Sequence, residues 1–275
     1  MKNRLKKYGT WSLVAGAAEG IGEAHCRNLA QQGMNILLVD SQKEKLTELS
    51  NELASTYSVQ ARPIHADLSQ KEAAGTLMRE VQAYDCRLLI INAAYGPVKN
   101  FISNTTEELD LYIDLNARTP LHLAHSFAKI LKKNQKNGGI ILMSSLAGLW
   151  GTQLVAPYSA TKAFDFNLAE ALHHELKPDG IDVLACCPGA TKTPGYLSSN
   201  PKYGLLKPSV MEPDAVAKGA LRKLGRGSFY IPGWSNKMTF FLFSRIFPTR
   251  WSAGIFNKTM RQMYGDGIAK SQKDK

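Results

Sequence analysis

The sequence predicts an α/β fold: a single doubly wound parallel sheet of about seven strands, with helices on both faces. Two observations carry this prediction. From residue 11 to residue 231, short apolar runs of strand length alternate with longer stretches of helical period. The runs are apolar on both faces, which is typical of parallel strands covered by helices on each side. Because no repeat or linker divides this region, we expect one domain, 1–233, followed by a distinct segment, 234–275.

The predicted elements alternate regularly along the chain. The strands are residues 11–15, 35–39, 60–64, 88–92, 139–144, 181–186 and 228–232. The helices between them are predicted near residues 21–32, 42–56, 70–83, 106–135, 157–177 and 213–224. Residues 190–212 are rich in Pro, Gly, Ser and Asn and have no clear period, so we expect a mobile loop between the sixth strand and the next helix.

The positive charge lies at the two ends of the chain. Residues 1–10 carry four Lys or Arg and no acid, and residues 234–275 carry eight Lys or Arg and two acids, in a chain of net charge +11. No nucleic-acid-binding motif accompanies this charge, so we predict no nucleic acid partner. An anionic membrane surface or an anionic substrate fits better. No apolar run reaches the roughly 18 to 20 residues of a membrane span. We predict a cytoplasmic location and leave membrane association open.

The cysteines give no indication of a metal centre. Cys26, Cys86, Cys186 and Cys187 form no CxxC pair and have no histidine at metal-ligand spacing. We therefore predict no metal site and expect buried, reduced thiols of the kind found in cytosolic proteins.

A glycine-rich loop, residues 16–22 (GAAEGIG), follows the first strand and opens the first helix. Glycine permits a tight turn and lets the backbone approach a pyrophosphate, which then lies at the positive end of the helix dipole. An acid, Asp40, ends the second strand 18 residues after Gly22, as expected at a dinucleotide site. Small residues would also serve close helix–strand packing alone. The residues predicted to bind the cofactor here are Gly16, Glu19, Gly20, Ile21 and Gly22.

Asp40 predicts which dinucleotide is bound. Its carboxylate would accept hydrogen bonds from both adenosine ribose hydroxyls and would repel a 2′-phosphate. Ser41 offers no guanidinium for that phosphate, although Lys43 is near. We therefore predict NAD(H) as the cofactor, with NADP(H) less favoured. The alternative is that Asp40 only caps the following helix.

Tyr158 and Lys162 lie four residues apart at the start of a predicted helix and therefore share a face. Hydride transfer to a ketone requires a proton donor for the developing alkoxide, and a phenol with a pKa near 10 is poorly matched to neutral pH. A lysine ammonium on the next turn would stabilise the phenolate and could hold the nicotinamide ribose. We therefore predict Tyr158 as the proton-transfer residue and Lys162 as its partner.

Two further polar residues precede this pair. Ser145 follows the fifth strand, where α/β sheets bind ligands, and stands 13 residues before Tyr158. Its hydroxyl could donate to a carbonyl oxygen or merely bond the end of the strand. Asn116 lies within the predicted helix 106–135. Its carboxamide could hold a water near Lys162, the alternative being a solvent-facing residue.

Taken together, these residues resemble the short-chain dehydrogenase/reductase family, and the likeness spans almost the whole chain. It rests on the glycine loop, Asp67-Leu68 after the third strand, Asn92-Ala93-Ala94, Asn116, Ser145, Tyr158, Lys162 and Pro188-Gly189. The opening third is also similar to bacterial hydroxysteroid dehydrogenases of the bile-acid type and to 3-oxoacyl-CoA reductases. That narrower likeness rests on Lys7-Tyr8-Gly9-Thr10-Trp11 and Gly33-Met34-Asn35-Ile36, whereas Ala15, Ile91 and Ala94 depart from the usual family residues.

The resemblance implies a Rossmann-type sheet and assigns roles to particular residues. The implied catalytic tetrad is Asn116, Ser145, Tyr158 and Lys162. The implied cofactor contacts beyond the glycine loop are Asp67, Leu68, Asn92, Ala93, Pro188, Gly189, Thr191 and Thr193, the last four near the nicotinamide. Many bile-acid and acyl relatives favour NADP and carry Arg near the position of Asp40, so that acid is a divergence. The resemblance also implies a homodimer or homotetramer through the helices that hold Asn116 and Tyr158.

The predicted activity is hydride transfer between NAD(H) and a secondary alcohol or ketone. Apolar residues in 94–102 and 146–155, among them Trp150, predict walls for a bulky apolar substrate such as a hydroxysteroid or bile acid, unless they are ordinary core. A 3-oxoacyl or other long-chain carbonyl reductase is an alternative. An isomerase, epimerase or dehydratase on the same fold is another. A non-catalytic dinucleotide sensor is an alternative of a different class, but a sensor needs neither Tyr158 nor Lys162.

The segment 234–275 holds five of the ten Phe, with Trp234 and Trp251. Its run 237–247 (KMTFFLFSRIF), read as a helix, is apolar almost all round, and Arg245 and Arg250 flank Pro248. One interpretation places the segment over the substrate mouth as a lid, or against a second subunit. The other places it in a membrane interface as a peripheral contact, with basic residues toward the headgroups.

Overall fold

The structure, a computed structural model, describes residues 5–203, 208–246 and 249–273, with side chains at all of these except 249–250, 252–253 and 266–273. The strands are β1 (Trp11–Ala15), β2 (Asn35–Asp40), β3 (Ala61–His65), β4 (Cys86–Ile91), β5 (Gly138–Met143), β6 (Ile181–Cys186) and β7 (Phe229–Tyr230). The helices are α1 (Gly20–Gln31), α2 (Lys43–Tyr57), α3 (Ala73–Val81), α4 (Thr106–Ile113), α5 (Thr119–Lys133), α6 (Ala156–Glu175), α7 (Pro194–Ser198), α8 (Pro213–Lys223), α9 (Trp234–Phe241) and α10 (Thr249–Lys273). The predicted fold class is confirmed.

One seven-stranded sheet runs through the molecule in the order β3-β2-β1-β4-β5-β6-β7, and every neighbouring pair is parallel. The chain reverses its direction of travel across the sheet between β1 and β4. Crevices for ligands form at the carboxyl ends of the strands at such a switch point. The topology therefore places the glycine loop after β1 at the edge where a ligand would bind.

Both faces of the sheet are buried along the central strands β1, β4, β5 and β6, whereas the edge strand β3 is largely exposed. Successive side chains of a strand point to opposite sides. Leu13 of β1 packs in one core with Leu37 and Leu89, while its neighbour Val14 packs in the other. This arrangement explains why the strands are apolar without alternation. The four cysteines are free and buried among these cores, as expected.

Three predictions of secondary structure, two of a helix and one of a loop, need correction. The predicted helix 106–135 is divided by a π-helical segment, Asp114–Arg118, between α4 and α5. The predicted loop 190–212 contains α7, whose N-cap Thr193 accepts a hydrogen bond from Tyr196 N. The predicted helix over 237–247 begins earlier, at Trp234, and changes to a π-helical segment, Leu242–Ile246. Phe247 and Pro248 lie outside the described residues, as do residues 1–4, 204–207 and the side chain of Arg250. In the described part of the chain, no helix is both long enough and apolar enough to cross a bilayer.

Candidate active site

A cleft of about 320 Å³ opens at the carboxyl ends of β1 to β4. It is lined by Gly16, Glu19, Gly20, Ile21, Asp40, Ser41, Gln42, Ala66, Asp67, Leu68, Asn92, Ala93, Ala94, Leu115, Thr193, Pro194 and Gly195. Most of the predicted cofactor residues therefore lie around one opening. Its shape comes from four strands that end at the same edge of the sheet.

The glycine loop packs so tightly that side chains are excluded from it. Gly16 has a φ of +84°, and a Cβ there would lie 2.4 Å from Ala93 N. A Cβ on Gly22 would lie 1.8 Å from the carbonyl oxygen of Gly16. That carbonyl also accepts a hydrogen bond of 2.8 Å from Asn92 Nδ2, which ties the loop to the end of β4. Gly22 does not line the cleft, and its contact with Gly16 leaves no room for a side chain in the loop.

Asp40 accepts hydrogen bonds from the backbone of the glycine loop and of the turn after β2. Its Oδ2 accepts from Ala18 N at 3.0 Å, and its Oδ1 accepts from Gln42 N at 3.1 Å. The N-cap of α2 is Gln42, so Asp40 does not serve as the cap that was the alternative. The carboxylate lies half-buried in the lining, with lone pairs left for a further donor.

The rim of the cleft near Asp40 carries a cation that the sequence did not single out. Lys45 Nζ contacts Glu19 Oε2 and Gln42 Oε1, each at 2.7 Å. Hydrogen bonding to Glu19 raises the pKa of Lys45. Across the cleft, Asp67 accepts from Ser69 and Gln70 within its own turn, and these hydrogen bonds lower the pKa of its carboxyl.

Asn116 lies in the π-helical segment and is completely buried. Its Oδ1 accepts from Tyr95 N at 2.7 Å, and its Nδ2 donates to Tyr95 O at 2.7 Å and to Thr161 Oγ1 at 3.2 Å. Both amide hydrogens are therefore donated to protein atoms. This differs from the predicted carboxamide that holds a water near Lys162, and from the solvent-facing alternative. Asn116 instead fixes the loop after β4 against α6.

The segment 144–152, which contains Ser145, packs on α6, the helix that carries Tyr158 and Lys162. Ser144 Oγ donates to Lys162 O at 2.7 Å, and Ser159 Oγ donates to Ala147 O at 2.7 Å. Ser145 is half-exposed, and its Oγ accepts from Ala147 N at 3.1 Å. Lys162 is 2% exposed, and its Nζ lies 5.8 Å from the centroid of the Tyr158 ring. The shared face predicted for Tyr158 and Lys162 is present.

Gly96 is a site residue that the sequence analysis missed. A Cβ on Gly96 would lie 2.6 Å from Cδ2 of Tyr158, so the loop after β4 packs directly on the phenol ring. Ala94, two residues earlier, lines the dinucleotide cleft. Tyr158 therefore lies next to the strand end that forms the cleft. A lone glycine in a loop gives no indication of this contact. The residues that line the cleft and were not predicted as site residues are Ser41, Gln42, Ala66, Ala94, Leu115, Pro194 and Gly195.

The segment predicted to contact the nicotinamide divides into two parts. Thr193 lines the cleft, where its Cγ2 would lie 3.0 Å from a Cβ on Gly20. Pro188, Gly189 and Thr191 are not among the lining residues of this cleft. Pro188 O accepts from Leu146 N at 2.9 Å, and Thr191 is buried and donates to Gly189 O at 3.0 Å. Their contact with a nicotinamide stays a prediction.

The region predicted to bind substrate packs against the C-terminal helices. Trp150, predicted as a pocket wall, is only 8% exposed, and its ring centroid lies 6.2, 5.8 and 5.8 Å from those of Phe240, Phe243 and Phe256. The indole is thus core beneath the terminal segment. A hollow of about 490 Å³ beside it, lined by Leu149, Gln153 and the outer face of α6, does not include Ser145, Tyr158 or Lys162 in its lining.

Helix α10 contacts two loops at once. Gln153 N donates to Asn257 Oδ1 at 2.7 Å, and Asn257 Nδ2 donates to Gly151 O at 3.3 Å. Further along the helix, Met263 O accepts from Lys202 N at 3.0 Å, and the hydroxyls of Tyr264 and Ser199 lie 3.2 Å apart. The helix therefore joins the loop after Ser145 to the loop after α7.

Comparisons with known proteins agree with this geometry. The family model described as short chain dehydrogenase matches residues 10–203. The 7beta-hydroxysteroid dehydrogenase of Collinsella aerofaciens is 32% identical over 238 residues, which are 86% of this chain and 90% of that protein. The very-long-chain 3-oxoacyl-CoA reductase of Anas platyrhynchos is 28% identical over 97% of this chain and 85% of its own length. The inactive hydroxysteroid dehydrogenase-like protein 1 of Homo sapiens is 30% identical over 94% of this chain and 79% of its own length.

Solved structures give the same result. A structure of a 7beta-hydroxysteroid dehydrogenase has a TM-score of 0.83 and 28% identity, and the match covers 92% of this chain and 98% of that chain. A short-chain dehydrogenase from Sphingobium yanoikuyae in complex with NADPH has a TM-score of 0.74 and 27% identity, and covers 88% of this chain and 91% of that chain. The family resemblance predicted from the sequence is confirmed, together with the likeness to hydroxysteroid dehydrogenases and 3-oxoacyl-CoA reductases.

Proposed function

The chain belongs to the short-chain dehydrogenase family and is an oxidoreductase that uses NAD(P)(H), and from this premise we propose that it interconverts a bulky, apolar secondary alcohol and its ketone. The observation that carries the proposal is the position of Tyr158. Its ring packs on Gly96 next to the cleft, and the buried Lys162 ammonium lies beneath it. A phenol with a cation at this distance is suited to proton exchange with an alkoxide.

The residues of the cleft fit a dinucleotide. Gly16 and Gly20 present bare backbone at φ values of +84° and +61°, and α1 begins at Gly20, so its free N–H groups face the opening. Asp40 lies at the end of β2 with acceptor capacity for ribose hydroxyls. When bound, the nicotinamide supplies or accepts the hydride.

Each residue of the proposed tetrad has a separate part. Tyr158 Oη gives its proton to the oxygen of the reduced carbonyl and takes it back in alcohol oxidation. The Lys162 ammonium stabilises the phenolate left on Tyr158. The Ser145 hydroxyl donates a hydrogen bond to the carbonyl oxygen. Asn116 holds Tyr95 and therefore the loop that carries Gly96.

The proposed substrate class comes from the relatives whose names state a substrate. The proposed substrate is a hydroxysteroid of the bile-acid type, and the second candidate is a long-chain 3-oxoacyl thioester. The test is the absorbance at 340 nm with keto-steroids, keto bile acids and 3-oxoacyl thioesters. Tyr158→Phe should lower turnover by about 10²- to 10⁴-fold and keep dinucleotide binding. Full activity in that variant, or a polar sugar turned over faster than every apolar ketone, would refute the proposal. Dinucleotide binding with no turnover of the whole panel would favour a non-catalytic sensor.

We propose NAD(H) as the form of the cofactor, although the related short-chain dehydrogenase from Sphingobium yanoikuyae is in complex with NADPH, so NADP(H) is not the less favoured form on the comparisons. The support is Asp40, whose carboxylate would repel a 2′-phosphate and accept from ribose hydroxyls. The Lys45 ammonium would attract a 2′-phosphate and so favour NADP(H), but the carboxylate of Glu19 already compensates its charge. The test compares kcat/KM for NADH and NADPH. Asp40→Asn should raise the NADPH value relative to NADH, and a faster reaction with NADPH in the unaltered enzyme would overturn the assignment.

The proposed assembly is a homodimer or homotetramer through the helices next to the tetrad. Exposed apolar side chains lie on α4, α5 and α6: Ile113 (57%), Leu121 (41%) and Phe164 (38%). Burying such residues against a second copy is a common use of exposed apolar surface. Sedimentation of the intact protein and of Phe164→Glu tests this, since the substitution should dissociate the oligomer.

The segment 234–275 is proposed as a separate unit that covers the substrate side and contacts anionic lipid from outside. Phe240 and Phe243 face Trp150, whereas Trp234, Phe241 and Trp251 are 76%, 54% and 58% exposed. Between residues 234 and 265 the sequence has five Lys or Arg and no acid, so two copies of this surface would repel each other. Exposed aromatic residues with cations suit a membrane interface.

Vesicle flotation tests the lipid contact in the full-length chain. Binding should require anionic lipid and should fall in Trp234→Ser/Phe241→Ser. The matched control is Ile102→Ser, which removes a side chain that is 87% exposed in a different loop. Equal flotation with and without anionic lipid, or none at all, would dispose of the membrane contact and leave the covering role.

A further inference from the structure

A buried ion pair lies directly behind the proposed proton-transfer residue. Lys162 and Asp165, almost one turn apart on α6, are joined by an Nζ–Oδ2 contact of 2.9 Å, with side chains 3% and 2% exposed. Lys162 Nζ also donates to Met143 O, at the end of β5, at 2.7 Å. Two of the three ammonium hydrogens are therefore committed to these acceptors, which leaves one for the Tyr158 side of the residue.

Asp165 is not explained by stability. Its Oδ1 is buried and has no hydrogen-bond partner. A buried carboxylate with a bare oxygen is costly, and well-packed apolar side chains often replace buried ion pairs without loss of stability. Asp165 therefore calls for a role that an apolar residue could not fill.

Asp165 is the acid in direct contact with the Lys162 ammonium. Burial lowers the pKa of Lys162, but the charges of Asp165 and Tyr158 act against it and the net direction is upward. Burial raises the pKa of Asp165. From the end of β6, Cys187 faces the same cluster, and burial raises the pKa of its thiol to about 12, so it stays uncharged at neutral pH. The negative charge of Glu170, further along α6, also raises the pKa of the Cys187 thiol.

We propose that Asp165 is a positioning residue that fixes the Lys162 ammonium and sets the pH range in which Tyr158 exchanges its proton. The inference rests on the proposed function of Tyr158. A nearby negative charge makes proton loss harder for every neighbouring group. Asp165 therefore keeps Lys162 ionised in a buried position, and it also offsets the effect of that ammonium on Tyr158.

The pH dependence of alcohol oxidation tests this role. In Asp165→Asn, both limbs of the kcat/KM profile should move to lower pH by about one unit, the lower end of the shift that a neighbouring charge produces. The acidic limb moves because the Lys162 ammonium, without the Asp165 charge beside it, favours the Tyr158 phenolate more strongly. The alkaline limb moves because Lys162 without that charge loses its proton at a lower pH. The matched control is Glu175→Gln, an exposed acid on the same helix, which should not displace the profile.

A second readout needs neither cofactor nor substrate. Phenolate formation is followed by the absorbance at 295 nm as the pH is raised. Subtracting the curve of Tyr158→Phe from that of the wild type isolates Tyr158, and subtracting the curve of Asp165→Asn/Tyr158→Phe from that of Asp165→Asn isolates Tyr158 without the Asp165 charge. The midpoint of the second difference curve should lie at a lower pH than the midpoint of the first. If Asp165→Asn does not fold, Asp165→Ser is the smaller neutral substitute and should give the same displacement, whereas Asp165→Glu should retain the wild-type profile.

The two proposals fail in different ways. A wild type without turnover would refute the proposed function, and the 295 nm titration would still decide the role of Asp165. A folded Asp165→Asn with unchanged limbs and an unchanged midpoint would overturn the role of Asp165, even if its activity were uniformly lower, because a purely structural residue changes rate or stability without moving the profile.

Discussion

The proposed dinucleotide cleft and the proposed substrate side of this molecule are built in different ways. In the cleft, the ends of neighbouring strands hold one another through the backbone: Gly16 N donates to Val39 O, and Asn92 N donates to Ala15 O, both at 2.8 Å. On the substrate side, the loop at Gln153 is held by Asn257, 104 residues further along the chain. A site made of strand ends takes its geometry from the sheet, whereas a site made of loops depends on a helix that must dock from elsewhere.

Trp150→Ala should give the largest effect and should separate the two regions. Removing an indole buried by three phenylalanines should cost about 3–5 kcal/mol of unfolding free energy. The KM for the carbonyl substrate should rise, and the dinucleotide Kd should not. Urea unfolding measures the free energy, initial rates at 340 nm give the KM, and NADH fluorescence titration gives the Kd, with the exposed Trp234→Ala as control. An equal loss of dinucleotide affinity would show that the two regions are not independent.

Gly22→Ala should damage the cleft alone. The new Cβ would lie 1.8 Å from Gly16 O, so the loop must shift, at about 1–3 kcal/mol and at least tenfold in dinucleotide Kd. Gly195→Ala is the control in the same cleft, because a Cβ there has nothing within 4 Å. Equal affinities in the two variants would contradict a backbone-built cleft.

The stability of the cofactor half should depend on pH through His25 of α1. Burial lowers the pKa of His25 to about 3, and neither ring nitrogen has a hydrogen-bond partner. The unfolded chain takes up this proton below pH 6.5 and the folded chain does not. This contribution to stability is therefore complete above pH 6.5 and falls by about 1.4 kcal/mol per unit as the pH drops toward 3.

Urea unfolding at pH 7.5 and 5.5 measures the effect of His25. His25→Leu should show a weaker pH dependence than the wild type, whereas the exposed His122→Leu should match the wild type. Identical slopes in all three proteins would mean that His25 is protonated equally in the folded and unfolded states.

Asn257→Ala should give the smallest effect, confined to the substrate side. It removes the bonds to Gln153 N and Gly151 O, at about 1 kcal/mol each. The KM for substrate should rise a few-fold with unchanged dinucleotide Kd. Asn167→Ala, an exposed asparagine bonded to its own helix at Ala163 O, is the control. If both variants behave alike, α10 does not position the loop.

The same contrast explains what the sequence could predict. Strands and cleft were predictable because apolar runs and the glycine loop are local patterns, and parallel strand ends must meet at one edge. The π-helical segment at Asn116 was not, because the residues on both sides keep a helical period and only the bonds to Tyr95 and Thr161 reveal it. Pro120, at the start of α5, was the available indication of a break.

Contacts between distant segments were beyond the sequence. Trp150 was predicted as a pocket wall, with ordinary core as the alternative, and only the positions of Phe240 and Phe256 place it in the core. Asp165 carried no motif, and its importance comes from the direction in which the Lys162 side chain points. The helix at Pro194 could have been predicted from Thr193-Pro194, a capping residue followed by proline.

The bond from Asn92 to the glycine loop also has a consequence for the newly made chain. Its partners, Asn92 Nδ2 and Gly16 O, are 76 residues apart, and β1 likewise waits for β4. At a synthesis rate of about 5–20 residues per second, the loop emerges from the ribosome about 4–15 seconds before its partner does. During that interval β1 exposes an unpaired edge, so nascent chains from which residue 92 has not yet emerged should be the ones that recruit chaperones.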